Sequence, residues 1–344
     1  MKIFWCSPFG DGWAAAYKLR EQGNKVVYFN PSENTNGLGY LPSVPEAAWK
    51  DYVVKADLIV VDANFPSRPT RRSFSPSDYV LDLAQIRRQG MVYIGPTPTT
   101  ELIENDLRYQ KKILSRLGFS YQTDHIVQPG IRVTISRDPD GFCYLVFRHR
   151  NLLSNGVGPE IGNLGDLVIP VSRGSEFFRQ SMQLVEPLIE RLRFNSYFNL
   201  DMIVTNEGQL HVVGCSTRFL YPAIFAQFAN LLSGADRERS DLGLATSILR
   251  LDDNSDTSAE QVMDLPGFFG HEIHRDFDKG RPVVHGVGPQ FVGAIAACGG
   301  DLPSVQYKVD SQLVGNLPVG WGFRDNLGVG AKDSLLHLSN FGLI

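Results

Sequence analysis

Apolar and polar positions alternate along the first hundred residues in blocks whose period changes from strand-like to helical and back. The run KIFWC is followed by Gly10-Asp11-Gly12 and then WAAAYKLREQG, whose Ala, Leu and Lys content and closing Gly23 predict a helix with a glycine stop. KVVYFNP and ADLIVVDA predict a second and a third strand, SDYVLDLAQIRRQG a helix, and MVYIGP a fourth strand. This alternation implies a parallel sheet covered by helices. TTELIENDLRYQKKILSRLG continues as one long amphipathic helix ending at Gly118. Beyond it the period falls to two: RVTISRDPDGFCYLVFRH is two strands about a Pro-Asp-Gly turn, and MIVTNEGQLHVVG two strands about Asn-Glu-Gly. Helical patterns return in SEFFRQSMQLVEPLIERLR and PAIFAQFANLLSG, and the aromatic residues of the second have core spacing. RLDDNSDTSAEQ, residues 250–261, is polar and acidic and reads as an exposed connection. The remainder, with GRPVVHGVG and QFVGAIAACGG, reads as short β elements, and no internal repeat emerges.

These elements divide the chain into an N-terminal parallel α/β domain over residues 1–97, an α+β domain over 98–250 and a small Gly-rich, β-containing C-terminal region over 251–344. Composition places the chain among globular proteins: 344 residues, 43% apolar and 20% charged. A formal charge of −4 gives no field for nucleic acid or an anionic membrane, apart from local clusters such as Arg71-Arg72 and Arg148-His149-Arg150. The four cysteines, Cys6, Cys143, Cys215 and Cys298, match no metal or redox spacing and read as buried thiols in a reducing compartment. The opening MKIFWCSPFGDG lacks the apolar core of a signal peptide, and no stretch reaches about 18 apolar residues. The expected location is the cytoplasm.

Two glycine-rich stretches and two arginine positions carry the candidate chemistry. Gly10, Asp11 and Gly12 follow the first strand, where backbone N–H groups and a helix N-terminus receive a phosphate in some proteins. A tight strand-to-helix turn without ligand accounts for them equally. Gly158-Pro159-Glu160-Ile161-Gly162-Asn163-Leu164-Gly165 is either a loop whose amides wrap an anion or a structural Ω-type loop, and Glu160 opposes a phosphate there. Arg148, His149 and Arg150 offer an anion-binding triplet or a solvated face. Arg218 lies in an apolar strand setting, where an unpaired guanidinium is costly, and is placed to join Arg148 from a neighbouring strand. His271 and His274 in GHEIHRD have i, i+3 spacing without a third ligand, and no nucleophile elbow or Cys/His pairing is present.

In their order, these parts resemble the ATP-grasp superfamily, and most closely the phosphoribosylamine–glycine ligases. The first strand and glycine turn resemble that family's N-terminal domain. IGPTPTTELIENDLRYQKKILSRLGF resembles its G-P-[ST] strand end and following helix, and PDGFCYLVFRHRNLLSNGVGPEIGNLG its hairpin, basic segment and glycine loop. VVGCSTRF, residues 212–219, stands where the family has E-[FV]-N-x-R-F, so Arg218 and Phe219 match while Gly214 and Ser216 replace the Glu and Asn that hold magnesium. The likeness covers roughly residues 1–250. The resemblance further implies a subdomain between the long helix and the first hairpin that carries a phosphate-binding lysine and a glycine-rich flap. Here only Gly118 to Gly130 joins the two, without Lys, Arg or a glycine run to neutralise phosphates. The expected fold is therefore an ATP-grasp-like one lacking the usual lid.

Magnesium requires hard oxygen ligands, and glycine provides none; Asp201, with Glu207 nearby, is the remaining candidate ligand. Three readings follow. In the first, the protein is a ligase relative that no longer performs standard ligation, uses no cofactor, and retains a cleft for a phosphorylated or anionic small molecule through Gly10, Asp11, Gly12, Arg148, Arg150, Gly158, Pro159, Gly162, Asn163, Gly165 and Arg218. In the second, it is an active ATP-dependent carboxylate–amine ligase that forms an amide through an acyl phosphate, with ATP and Mg as cofactors and Asp201 as a metal ligand. In the third, it is a scaffold whose partners are further copies of itself or another protein. None of the three involves a membrane or nucleic acid.

Overall fold

The computed structural model describes residues 1–8, 10–30, 41, 48–62, 90–117, 130–151, 160–192, 196–232, 241–250, 265, 267–270, 273–275, 282–284 and 291–344, with the side chains of 98, 151, 160–163, 228–232, 273–275, 282–284 and 329–330 left aside. Along the chain run β1 (Lys2–Cys6), α1 (Trp13–Glu21), β2 (Lys25–Phe29), α2 (Trp49–Val53), β3 (Leu58–Val61), β4 (Val92–Ile94), α3 (Pro98–Asn105), α4 (Leu107–Arg116), β5 (Gly130–Arg137), β6 (Cys143–Asn151), β7 (Glu160–Pro170) and α5 (Glu176–Leu192). There follow β8 (Phe198–Thr205), β9 (Leu210–Ser216), α6 (Ala223–Leu232), β10 (Leu242–Arg250), β11 (Phe268–Gly270), β12 (Ile273–Arg275), β13 (Pro282–Val284), β14 (Phe291–Gly299), α7 (Leu302–Leu313), β15 (Trp321–Phe323) and α8 (Leu327–Asn340). Contacts gather these into two units that interleave along the chain. One comprises Met1–Val60, Arg148–Val168 and Leu220–Gly330; the other comprises Val61–Phe147, Ile169–Phe219 and Ala331–Ile344.

In the first unit the opening β1-α1-β2 pattern forms as its periodicity predicts: β1 and β2 are parallel, with Ile3 opposite Val26 and Trp5 opposite Tyr28, and β3 lies on the other side of β1. Ala14, Ala15 and Ala16 are buried, because a helix of small residues can approach the sheet closely. A second sheet in this unit has the neighbour order β11-β14-β10-β7, with β15 also on β10. The longest ladder is β10–β14, with Leu244 opposite Ala297 and Thr246 opposite Ile295. Small residues let this sheet pack closely. A Cβ on Gly165 would stand 2.4 Å from Leu327 Cδ1, and one on Gly243 2.8 Å from the Ala226 side chain.

In the second unit β6, β5, β8 and β9 are successive antiparallel neighbours. The two predicted hairpins form its frame, and Gly141 (φ 85°) and Gly208 (φ 76°) adopt the left-handed backbone that their turns require. One sheet face is apolar, with Val133, Ile135, Leu145, Leu200 and Met202 buried. Helix α5 presents Phe177, Met182, Val185, Leu188 and Leu192 as a buried stripe at helical spacing, and Met182 meets Cys143 of β6 at 3.8 Å between sulfurs. Alternate residues place Thr134, Ser136, Asn199 and Asp201 on the opposite face.

Four expectations need correction or lie beyond view. The single long helix predicted after MVYIGP is two, α3 and α4, separated at Asp106. That residue takes an extended conformation (φ −120°, ψ 98°), and its carboxylate accepts the Arg108 and Tyr109 N–H groups, capping α4. The later part of the glycine-rich stretch is no loop: Gly162, Asn163 and Gly165 lie on strand β7. Among its described residues the C-terminal region holds two helices besides its strands. Asp301 caps α7 by accepting the Ser304 N–H, and Pro303 stands in the first turn. The helix expected from SDYVLDLAQIRRQG, the acidic connection after Arg250, Gly158, Pro159, His271 and the segment 118–129 fall outside the described residues, as does the side chain of His274.

Candidate functional site

The paired strands β8 and β9 bring Asp201 and Asn199, the latter not singled out from the sequence, opposite the VVGCS part of VVGCSTRF. β8 reads FNLDMIVT, so Phe198, Leu200 and Met202 enter the core while Asn199 and Asp201 point to the other face. Across the ladder Asn199 faces Ser216 and Asp201 faces Gly214, with a register shift after Asp201. The Asn199 amide donates to Ser216 Oγ at 3.2 Å and to the Arg218 carbonyl at 2.7 Å, while its buried Oδ1 has no partner among the described residues. From β5, the Thr134 hydroxyl donates to Asp201 Oδ1 at 2.5 Å.

Helices α3 and α4 bound the same strands. Gln110 of α4 is buried and donates to the carbonyls of Ile103 and Cys215, each at 3.1 Å, tying the helix to β9. Glu104 of α3 forms an ion pair with Arg218 at 3.0 Å and accepts the Thr217 N–H at 3.2 Å. The expected apolar strand setting of Arg218 needs correction: it is exposed and lies past the end of β9, which does not neighbour the β6 strand of Arg148, and its charge is paired by Glu104, a residue 114 positions earlier that the sequence did not single out. A Cβ built on Gly214 meets only Gln110 Oε1, at 3.7 Å, so the absence of a side chain there is not imposed by packing. Burial pushes the Cys215 thiol up to about 12, with Asp201 and Glu104 adding to the effect, so it is neutral and inert.

The arginine triplet belongs to the first unit. Arg148 Nε lies 4.0 Å from Asp166 Oδ1 of β7, a contact too long for a hydrogen bond. Asp166 is fully buried, and its Oδ2 accepts the first N–H of α6 at Ala223, 2.8 Å away, so it caps that helix. His149 is the next residue along β6. Burial, assisted by the Arg324 guanidinium, lowers it to about 4, so it is a neutral imidazole at pH 7. Arg150 is half-buried and has no ion pair among the described residues. At the glycine turn after β1, the Gly12 N–H donates to Ser7 Oγ at 3.0 Å, the Gly10 N–H to the Ser7 carbonyl at 3.3 Å and the Trp13 N–H to the Gly10 carbonyl at 3.2 Å. Those amides are already satisfied within the turn; Gly10, at φ 81°, makes that turn, and Asp11 lies within it.

No sequence profile of a known protein family matches the chain, and no curated protein matches it. Solved structures do. Phosphoribosylamine–glycine ligase from Thermotoga maritima superposes with a TM-score of 0.65 at 11% identity, over 94% of this chain and 99% of the other. N5-carboxyaminoimidazole ribonucleotide synthetase from the same organism gives 0.56 at 12%, over 94% and 99%. The biotin carboxylase domain of a single-chain bacterial carboxylase gives 0.57 at 10%, over 93% and 90%. A protein from Archaeoglobus fulgidus described as a member of the ATP-grasp superfamily gives 0.51 at 13%.

The chain has the ATP-grasp fold.

The fold implies ATP and magnesium, and the residues present do not fit them at β8 and β9. Magnesium at a phosphate site is held by oxygen ligands, usually including one or two carboxylates. Here Asp201 contributes a carboxylate already bonded to Thr134, Gly214 contributes nothing, Ser216 accepts from Asn199, and Glu104 is held by Arg218. Among the described residues no three His, Cys, Asp or Glu side chains are grouped so as to hold a metal ion. Glu207 sits at the β8–β9 turn, two residues past the end of β8, at the opposite end of the hairpin from Ser216. Also among the described residues, no helix is long and apolar enough to cross a membrane.

Proposed function

We propose that this protein keeps the ATP-grasp scaffold without its magnesium–triphosphate chemistry and binds a phosphorylated or otherwise anionic small molecule. The observation that carries the first part is the pairing of Asp201 with Gly214, flanked by Ser216. A single carboxylate, already accepting from Thr134, faces a position with no side chain, so the two strands offer one carboxylate at most where magnesium commonly takes one or two. The second part is supported by Arg150, which has no acidic partner among the described residues, and by Arg148, whose Nε stands 4.0 Å from Asp166. On this reading Gly10 and Gly12 serve the turn, Gly165 serves close packing against Leu327, and Arg218 serves the Glu104 pair.

The competing reading is an ATP-dependent carboxylate–amine ligase acting through an acyl phosphate. The fold favours it, and so does Asp201, a partly exposed carboxylate on the strand where a metal ligand is wanted. The deciding experiment incubates the purified protein with ATP, Mg²⁺ and panels of carboxylic acids and amines, and follows ADP and phosphate. The expected result is no release that depends on both acid and amine. Release that depends on both, and that Asp201→Asn abolishes, would establish the ligase.

A further inference from the structure

A cleft of about 410 Å³ in the second unit is lined by Thr99 of α3, Tyr109, Lys112, Ile113 and Arg116 of α4, and Arg191 with Leu192 at the end of α5. Three of its seven lining residues are cations and none is a carboxylate. None of the three cations forms an ion pair among the described residues. Arg116 and Arg191 each stand in the last turn of a helix, where the macrodipole favours a cation, and the three exposed cations converge on one cleft. Arg108, Lys112 and Arg116 follow one another at i, i+4 along α4, a spacing at which like charges repel. Arg191 adds a further positive charge from another helix. The last turn of α5 also lacks the carboxylate at i−3 or i−4 that would offset it, since those positions are Leu188 and Pro187.

The remaining lining suits an organic ligand better than a bare ion. The Tyr109 ring, Ile113 and Leu192 form an apolar wall, and the Tyr109 and Thr99 hydroxyls can donate hydrogen bonds. The volume lies within the range of small-molecule sites. We infer that this cleft is a binding site for a multiply charged organic phosphate, with Lys112, Arg116 and Arg191 neutralising its charge and Tyr109 packing against its carbon skeleton. The cleft lining includes neither Arg148 nor Arg150, and the inference does not depend on the loss of ligase chemistry.

The test is titration calorimetry of the intact protein with fructose 1,6-bisphosphate and with inorganic pyrophosphate, both without magnesium. Wild type is expected to bind the sugar bisphosphate more tightly than pyrophosphate. Arg116→Glu and, independently, Arg191→Gln should each weaken binding about tenfold or more, the size expected for loss of one charge-assisted contact. Arg116→Lys should retain most of the affinity, while Lys332→Gln, an exposed cation of α8 outside the cleft lining, should leave it unchanged. The inference is overturned if neither compound binds, if Arg116→Glu and Arg191→Gln leave affinity intact, or if a short single-stranded oligonucleotide binds better than the sugar bisphosphate.

Discussion

At the scale of single residues, the decisive position is Gly214. Its neighbours leave room for a Cβ, so Gly214→Glu is expected to fold, with a carboxylate placed beside Asp201. Two like charges on neighbouring strands destabilise each other in water without a cation. Gly214→Glu with Ser216→Asn should therefore melt lower than wild type in chelator and recover on adding Mn²⁺ or Mg²⁺, whereas wild type should not respond. Thermal melts with and without metal measure this. A double variant indifferent to metal would show that Asp201 is not aimed where the geometry places it.

His149 makes a pH prediction. Its folded value is depressed to about 4 from an ordinary 6.5, chiefly by burial and then by Arg324, so between these values the unfolded chain binds more protons than the folded one. Its contribution is fully present above pH 6.5 and is lost as pH falls toward 4, at most on the order of 3 kcal/mol across that window. Urea midpoints at pH 7 and pH 4.5 should differ for wild type, and His149→Gln, which cannot titrate, should show a smaller difference. The sequence showed this histidine only as part of a charged triplet; its neutrality comes chiefly from burial and then from Arg324, 175 positions away, and no local pattern reveals either.

At the scale of elements, most strands and helices were legible from pattern alone, because β1 to β3 are short apolar runs buried on both faces, the hairpin strands flank clear turn residues, and α5 buries one stripe at helical spacing. The exceptions have local causes. The break between α3 and α4 was hidden because Asp106 sits within an otherwise continuous helical pattern, and only its side chain's bonds to Arg108 and Tyr109 mark the new start. Asp106→Ala is expected to cost about 1 kcal/mol in chemical denaturation, the usual value of an N-cap, and a loss near zero would mean that packing against β9 alone fixes the break. The glycine stretch misled in the opposite direction. Glycines suggest a loop, yet Gly165 lies on β7 because Leu327 and the Ala245 carbonyl leave no space for a side chain. Gly165→Ala should therefore destabilise by about 1–3 kcal/mol through overpacking, measured by urea unfolding. Helix α7 carried a readable start in Asp301-Leu-Pro-Ser that the glycine-rich surroundings obscured.

At the scale of the whole molecule, fold and chemistry separate. Superposition on ATP-grasp ligases over more than nine-tenths of the chain at 10–12% identity shows that the scaffold tolerates nearly complete exchange of side chains. On the proposed reading, the residues that a magnesium–triphosphate site needs are among those exchanged at β9. The Gly and Ser at 214 and 216, where the resembled family carries Glu and Asn, were readable in the sequence, since a difference in residue type is visible in one line of letters. The Glu104–Arg218 pair and the basic cleft were not, because each joins residues far apart in the chain.

The central claim is that the retained scaffold no longer binds nucleotide triphosphate through magnesium. It is tested most directly by titrating the purified protein with ATP at saturating Mg²⁺ and again in chelator. The account predicts no magnesium-dependent heat of binding: any ATP affinity comes from the cationic cleft, is equal or greater in chelator, and falls with Arg116→Glu. Binding that requires Mg²⁺, survives Arg116→Glu and disappears in Asp201→Asn would contradict it.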